Sequence, residues 1–209
     1  MNKYLTELIG TFFLVLTIGL VSGDFAPLAI GGVLMAVIYA GGHISGAHYN
    51  PAVTLAAFMR GRCARADVVP YVVAQIAGAA LAALAVSLLK GSPSFAEGLI
   101  TAPKSIHIGQ AFLAEFLFTF ALVYVILNVA TSKDTVGNSN YGLAIGFTVI
   151  AGAYAVGKIS GGAFNPAVAI GAAMMKSFAW NNLWVYFLAN FSAAAAAATV
   201  FKMLNPDDK

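Results

Sequence analysis

Of the 209 residues, 60% are hydrophobic and only 9% are charged, against about 25% charged in soluble domains, and mean hydropathy is +0.85. These values exclude an ordinary soluble domain and place the chain in a lipid bilayer. The 11 Lys/Arg and 8 Asp/Glu are scattered, so the net charge of +3 offers no basic tract for nucleic acid, and the single Cys63 can form neither an internal disulfide nor a thiolate metal site.

In chain order, the first apolar run is 4–22. Glu7 interrupts it and no clean cleavage site follows, so it reads as a retained span rather than a leader. Further runs at 27–43, 67–89, 107–131, 141–157 and 181–203 are each long enough to cross a hydrocarbon core of about 30 Å as a helix. Uninterrupted apolar runs lack the alternation of a closed barrel, and an open sheet edge in lipid would orphan backbone groups. All six are therefore expected to be helices. Polar residues sit in the connections "GDFAP", "RGRCARAD", "KGSPSFAEGLITAPK" and "TSKDTVGNSN", the third belonging to a long loop at 90–106.

Two apolar pieces, 51–59 and 166–175, give about 14 Å of helix at 1.5 Å per residue, half the core. They follow "HISGAHYNPAV" at 43–53 and "KISGGAFNPAV" at 158–168, and the similarity extends well beyond them. Leu28-Ala29-Ile30-Gly31 matches Leu143-Ala144-Ile145-Gly146, and Tyr71 with Gln75 matches Tyr186 with Asn190, all at the offset of 115 that separates Asn50 from Asn165. Glu7, Thr11, Phe12 and Leu14 pair with Glu115, Thr119, Phe120 and Leu122 at an offset of 108. Each half holds three full spans, an odd number, so the second half starts from the opposite side. We read one channel domain, 1–209, built of inverted repeats 1–89 and 107–203 joined by the loop, with the two half-spans meeting near the midplane.

Asn followed by Pro is a strong helix start: Asn caps orphan N–H groups, and Pro at the first helical position has no N–H to orphan. Two such starts at symmetric half-spans put two positive helix ends nose to nose in mid-membrane. The Asn50 and Asn165 NH2 groups are expected to donate into a lumen between them, and "SGAH" and "SGGA" to run extended with carbonyls facing it. A neutral acceptor would be bound there, whereas a cation would lose hydration and meet two positive ends.

On these residues the chain resembles the major intrinsic protein family, the aquaporins and glycerol facilitators, with Asn50-Pro51-Ala52 and Asn165-Pro166-Ala167 as signature motifs; Glu7, Glu115, His48 and Gln75 also resemble family positions. The resemblance covers nearly the whole chain. It implies an all-α integral membrane fold of six transmembrane and two re-entrant half-helices. It also implies a passive pore for water and small uncharged solutes in each subunit, homotetramer packing in the plasma or inner membrane, and no cofactor or metal. Most members carry Arg directly after the second motif; here it is Val168. With Ile30, Ala153 and Gly162 at the other outer-constriction positions, the resemblance implies a wide, largely apolar opening that glycerol, urea, hydrogen peroxide or a neutral metalloid acid would pass. A strictly water-selective pore is the alternative.

Glu7 and Glu115 are read as acceptors bracing the turns, in preference to a proton relay; His43 begins the first turn, His48 lines the inner vestibule, and Lys158 is the counterpart of His43. An alternating-access transporter would share inverted repeats and broken helices but usually needs more intramembrane acidic or polar ligands for a coupling ion. An enzyme is disfavoured, since no metal cluster or nucleophile motif is present. With both termini inside, Lys3, Arg60, Arg62, Arg65, Lys133, Lys202 and Lys209 face the cytoplasm, against Lys90, Lys104, Lys158 and Lys176 outside, the orientation the positive-inside rule favours.

Overall fold

A computed structural model describes residues 1–91 and 106–208. Six long helices are apolar enough to cross a bilayer. They are α1 (Asn2–Leu20), α2 (Ala26–Ser45), α4 (Arg65–Lys90), α5 (Ile108–Ile126, continued by a π-helical turn Leu127–Thr131), α6 (Tyr141–Ser160) and α8 (Leu183–Leu204). The short helices α3 (Pro51–Met59) and α7 (Pro166–Met174) have nine residues each. The chain is thus an all-α membrane fold of six spans and two half-spanning helices. The long connection at 90–106 falls largely outside the described residues, as does any role for it at the mouth.

The long helices pack as α1 on α4 and α2, and α5 on α8 and α6, with α2 against α6 joining the two groups. The short helices cross over: α3 lies mainly against α8, and α7 mainly against α4. Each half-helix is therefore held by a long helix of the other half, and neither half encloses its own short helix alone.

Close approach depends on small residues, because lipid tails are as apolar as Leu and the helices associate through packing instead. At the α2–α6 crossing Gly31 and Gly146 face each other. A side-chain carbon on Gly31 would stand 2.6 Å from the Gly146 carbonyl oxygen, and one on Gly146 would stand 2.7 Å from that of Gly31. Ala79, Ala82 and Ala83 of α4 and Ala193, Ala194, Ala197 and Ala198 of α8 are buried in the same way.

At the end of the molecule where α3 finishes, the C-terminal segment folds back. Asp208 pairs with Arg60, the C-cap of α3, and its other oxygen accepts the backbone N–H of Lys133 at 3.0 Å. The Arg60 guanidinium lies 4.8 Å from the centroid of the Phe201 ring. Lys133 Nζ donates to the Asp207 carbonyl at 3.0 Å, so three chain segments are tied together.

The Lys133 N–H and the Arg60 charge hold the Asp208 carboxyl below the ordinary carboxylate value. A depressed folded value contributes stability that is complete above the unfolded value of about 3.9 and is lost as pH falls through the folded one. Asp208→Asn leaves Arg60 buried without its counter-charge. The midpoint of thermal unfolding in detergent is expected to drop by several degrees at pH 7, and the gap from the unmodified protein to narrow progressively below about pH 4. A gap independent of pH over that range would show that the ion pair is not the cause.

Candidate functional site

The site is built where the two short helices begin. Asn50 caps α3, its Oδ1 accepting the Ala52 N–H at 2.9 Å, and Pro51 occupies the first helical position. Asn165 caps α7 in the same way, accepting from Ala167 at 2.9 Å and Val168 at 3.4 Å. Pro51, Ala52, Pro166 and Ala167 are buried and serve to start the helices.

The turns before them are not extended, which corrects the sequence expectation. Helices α2 and α6 continue to Ser45 and Ser160, so His43 lies in the last turn of α2 rather than opening the loop. The chain then has four residues in which to reverse. It does so through the left-handed region, with φ of 82° at Gly46, 51° at Ala47 and 50° at Tyr49, then 94° at Gly161, 64° at Gly162 and 48° at Phe164. Left-handed φ at Ala, Tyr and Phe costs of order 1–3 kcal/mol each and persists only where surrounding structure imposes it.

What imposes it is a pair of fully buried carboxylates. Glu7 Oε1 accepts Ser45 Oγ–H at 2.7 Å and the His48 N–H at 2.9 Å; Oε2 accepts the Tyr49 N–H at 2.6 Å and Gln75 Nε2–H at 2.8 Å. Glu115 repeats the pattern. Its Oε1 takes Ser160 Oγ–H at 2.7 Å and the Ala163 N–H at 2.9 Å, and its Oε2 takes the Phe164 N–H at 2.7 Å and Asn190 Nδ2–H at 3.1 Å. Left-handed turns aim successive N–H groups to one side, forming a concavity for an anion. The serines also take part: Ser45 Oγ accepts Ala47 N–H at 3.0 Å, and Ser160 Oγ accepts Gly162 N–H at 3.1 Å. Tyr71 and Tyr186 donate to the Ser45 and Ser160 carbonyls. Ser45 and Ser160 were not singled out from the sequence, although they lie in both quoted motifs at the same offset of 115 that marked Tyr71 and Tyr186.

The two braces differ at the amide. Asn190 Nδ2 also donates to Thr119 Oγ1 at 2.9 Å, whereas the longer Gln75 reaches past the corresponding Thr11 to Thr54 Oγ1 at 2.9 Å. Thr11 Oγ1 is left without a partner among the described residues, as are Gln75 Oε1 and Asn190 Oδ1.

The two turns are laced to each other. Asn50 Nδ2 donates to the Phe164 carbonyl and Asn165 Nδ2 to the Tyr49 carbonyl, both at 2.9 Å. One hydrogen of each NH2 is thereby committed to the opposite turn, leaving one on each for anything beside it. Both asparagines border a cavity of about 1390 Å³. Ala26, the first residue of α2, and His43, in its last turn, also border it, so it follows that helix for about 26 Å at 1.5 Å per residue, close to the thickness of a hydrocarbon core.

One mouth carries Asp24, Tyr154 and Lys158; the other carries His43, Arg62, Ser132 and Thr135. Between them the wall includes Ile30, Ala153, Gly162 and Val168 on the Lys158 side of the asparagines, and His48 on the other. Glu7 and Glu115 stand behind the turns and do not border the cavity. Among the described residues no group of three His, Cys, Asp or Glu is placed to hold a metal ion.

Comparison with known proteins agrees with this geometry. Residues 1–201 match the profile described as "MIP: Major intrinsic protein". The chain is 39% identical over 218 residues to a glycerol uptake facilitator protein-like 6 of Lactiplantibacillus plantarum, covering all of both chains. It is 37% identical over 214 residues to aquaporin NIP1-4 of Oryza sativa subsp. japonica, covering 98% of this chain and 77% of that one. The fold is shared with the aquaglyceroporin from Plasmodium falciparum at a TM-score of 0.77, with 23% identity and coverage of 98% and 94%. With a family match over nearly the full chain, two capped half-helices and a cavity running past both, the protein belongs to the major intrinsic protein family.

Proposed function

We propose that the protein is a passive pore for water and for uncharged solutes wider than water, such as glycerol, urea, hydrogen peroxide or a neutral metalloid acid. As a member of its family the chain is a transmembrane channel for water and small neutral solutes rather than a catalyst. The width is our own reading. The observation that carries it is the wall on the Lys158 side of the asparagines, where Ile30, Ala153, Gly162 and Val168 border the cavity and supply neither charge nor side-chain donors. An apolar collar recognises no single solute tightly, because rejecting an analogue takes polar groups that the wrong ligand leaves unpaired. The relatives named for glycerol uptake and as an aquaglyceroporin point the same way.

Ion exclusion rests on two features of the asparagine pair. The positive ends of α3 and α7 meet there, and a cation would exchange its hydration shell for amide N–H donors. The missing arginine removes a further positive element but neither of these. Glu7 and Glu115 act as braces for the turns, since both stand away from the lumen.

A homotetramer is inferred from family resemblance, and termini in the cytoplasm from the bias of seven Lys/Arg against four. On this orientation the Arg62 mouth is the inner one and the Lys158 mouth the outer.

Stopped-flow swelling and shrinking of proteoliposomes tests the solute range. The unmodified protein is expected to pass water, urea and glycerol. Val168→Arg is expected to lower glycerol flux about tenfold, the effect of about 1.4 kcal/mol of added barrier, while water flux persists. Water flux without glycerol or urea flux in the unmodified protein would establish the strictly water-selective alternative. Electrical recording on planar bilayers checks the barrier: Na⁺ and K⁺ currents are expected at the lipid background, and a clear channel current would show that two helix ends do not suffice. Native mass measurement of the detergent-solubilised protein is expected to give four chains, and a single chain would remove the tetramer.

A further inference from the structure

The geometry assigns His48 a specific role: it is held as the tautomer with hydrogen on Nδ1, so that Nε2 offers a lone pair to the lumen as an acceptor two residues from the Asn50 donor. The inference rests on reading the cavity as a solute pathway, and it deepens that reading. It names solutes able to accept a hydrogen bond at the asparagines while donating one at His48, which include hydroxylated molecules, urea and water itself.

The assignment follows from a chain of partners. Glu7 is met by four donors, and the last of them, Gln75 Nε2 at 2.8 Å, sets the orientation of that amide, since its oxygen in the same place would face the carboxylate. The same Nε2 then donates to Thr54 Oγ1 at 2.9 Å. Thr54 Oγ1 has two other neighbours at 3.1 Å, the Asn50 carbonyl oxygen and His48 Nδ1. A hydroxyl has one hydrogen and two lone pairs. Gln75 occupies one lone pair, and the Asn50 carbonyl can only accept, so the hydroxyl hydrogen points to it. The remaining lone pair faces Nδ1, which must therefore donate. The opposite choice, with the hydroxyl donating to Nδ1, would leave two oxygen lone pairs facing each other at 3.1 Å.

The other ring nitrogen is left open by Gly46. A side-chain carbon on that residue would stand 3.4 Å from Nε2, and both residues border the cavity. Nε2 makes no hydrogen bond to the described residues, while the Tyr71 ring, 5.1 Å away edge-on, backs the imidazole. The second half has nothing comparable: at the offset of 115 the counterparts of His48 and Thr54 are Ala163 and Ala169. The acceptor therefore belongs to the first half alone, on the side of the asparagines opposite the apolar collar.

The test is nuclear magnetic resonance of the full chain in liposomes with ¹⁵N-labelled histidine rings, using His43→Asn/His107→Asn to leave His48 as the one histidine. A protonated Nδ1 and an unprotonated Nε2 are expected, and a hydrogen on Nε2 overturns the proposal. Thr54→Val is expected to move the hydrogen to Nε2 and Thr54→Ser to restore it. In flux, glycerol permeability is expected to fall about threefold in Thr54→Val, within the range for one lost hydrogen bond, and to recover in Thr54→Ser. An unchanged glycerol permeability in Thr54→Val, with the tautomer shifted, overturns the role of the acceptor in permeation. Should the unmodified protein show the assigned tautomer yet pass no glycerol, the wide-solute reading falls and the acceptor stands, with water as the molecule it orients.

Discussion

Everything in this pore depends on two carboxylates that solvate backbone in a place water does not reach from behind. A helix that stops halfway through a membrane must be followed by irregular chain, and irregular chain at that depth carries N–H groups that lipid cannot satisfy. Glu7 and Glu115 satisfy them, each taking two backbone N–H groups from one turn, a serine hydroxyl and a side-chain amide. The left-handed φ values at Ala47, Tyr49 and Phe164 are the geometry that aims those N–H groups at the carboxylates. Burying a carboxylate is costly unless its lone pairs are filled, and here the turns fill them. Carboxylate and turn therefore stabilise each other, and neither would be tolerated alone.

Once the turns are held, the asparagines are placed without further help. Each caps its own half-helix with its oxygen and reaches across to the opposite turn with its nitrogen. The cross-lacing makes the centre of the molecule one unit, although its two sides come from segments more than a hundred residues apart. It also leaves a modest donor set, one N–H per amide. The centre is polar at the asparagines, and the wall toward the Lys158 mouth is apolar at Ile30, Ala153, Gly162 and Val168. On the function proposed above, selection against charge and permissiveness among neutral solutes come from different parts of the same cavity.

The two halves share the core of their bracing and differ in the reach of one amide. Glu7 and Glu115, Ser45 and Ser160, and Tyr71 and Tyr186 make matching bonds because each half meets the same problem of reversing the chain within lipid. Gln75 and Asn190 differ by one methylene, and that length decides whether the amide reaches Thr54 on the short helix or Thr119 on the long one. The lining keeps pairs such as Ile30 with Ile145 and Asn50 with Asn165, but sets His48 against Ala163.

How much was legible beforehand follows the same division. Hydropathy and length gave six spans and two half-spans, because lipid leaves helices as the way for such apolar runs to satisfy their backbone. Repetition of Glu7 as Glu115 and of Asn50 as Asn165 marked the braces and the caps, because a residue type needed for the same local task recurs at the same place. Local preference favours extended turns with His43 opening the first, whereas φ at Ala47 or Phe164 is set by a carboxylate on another helix. The crossing of α3 onto α8 and α7 onto α4, the cross-lacing of the amides, and the lack of a partner for Thr11 among the described residues are likewise beyond the sequence. The chain by itself determined which segments enter the membrane and which residues recur; the tertiary structure decided which hydrogen goes to which oxygen, since hydrogen bonds between distant segments depend on distances that only packing sets.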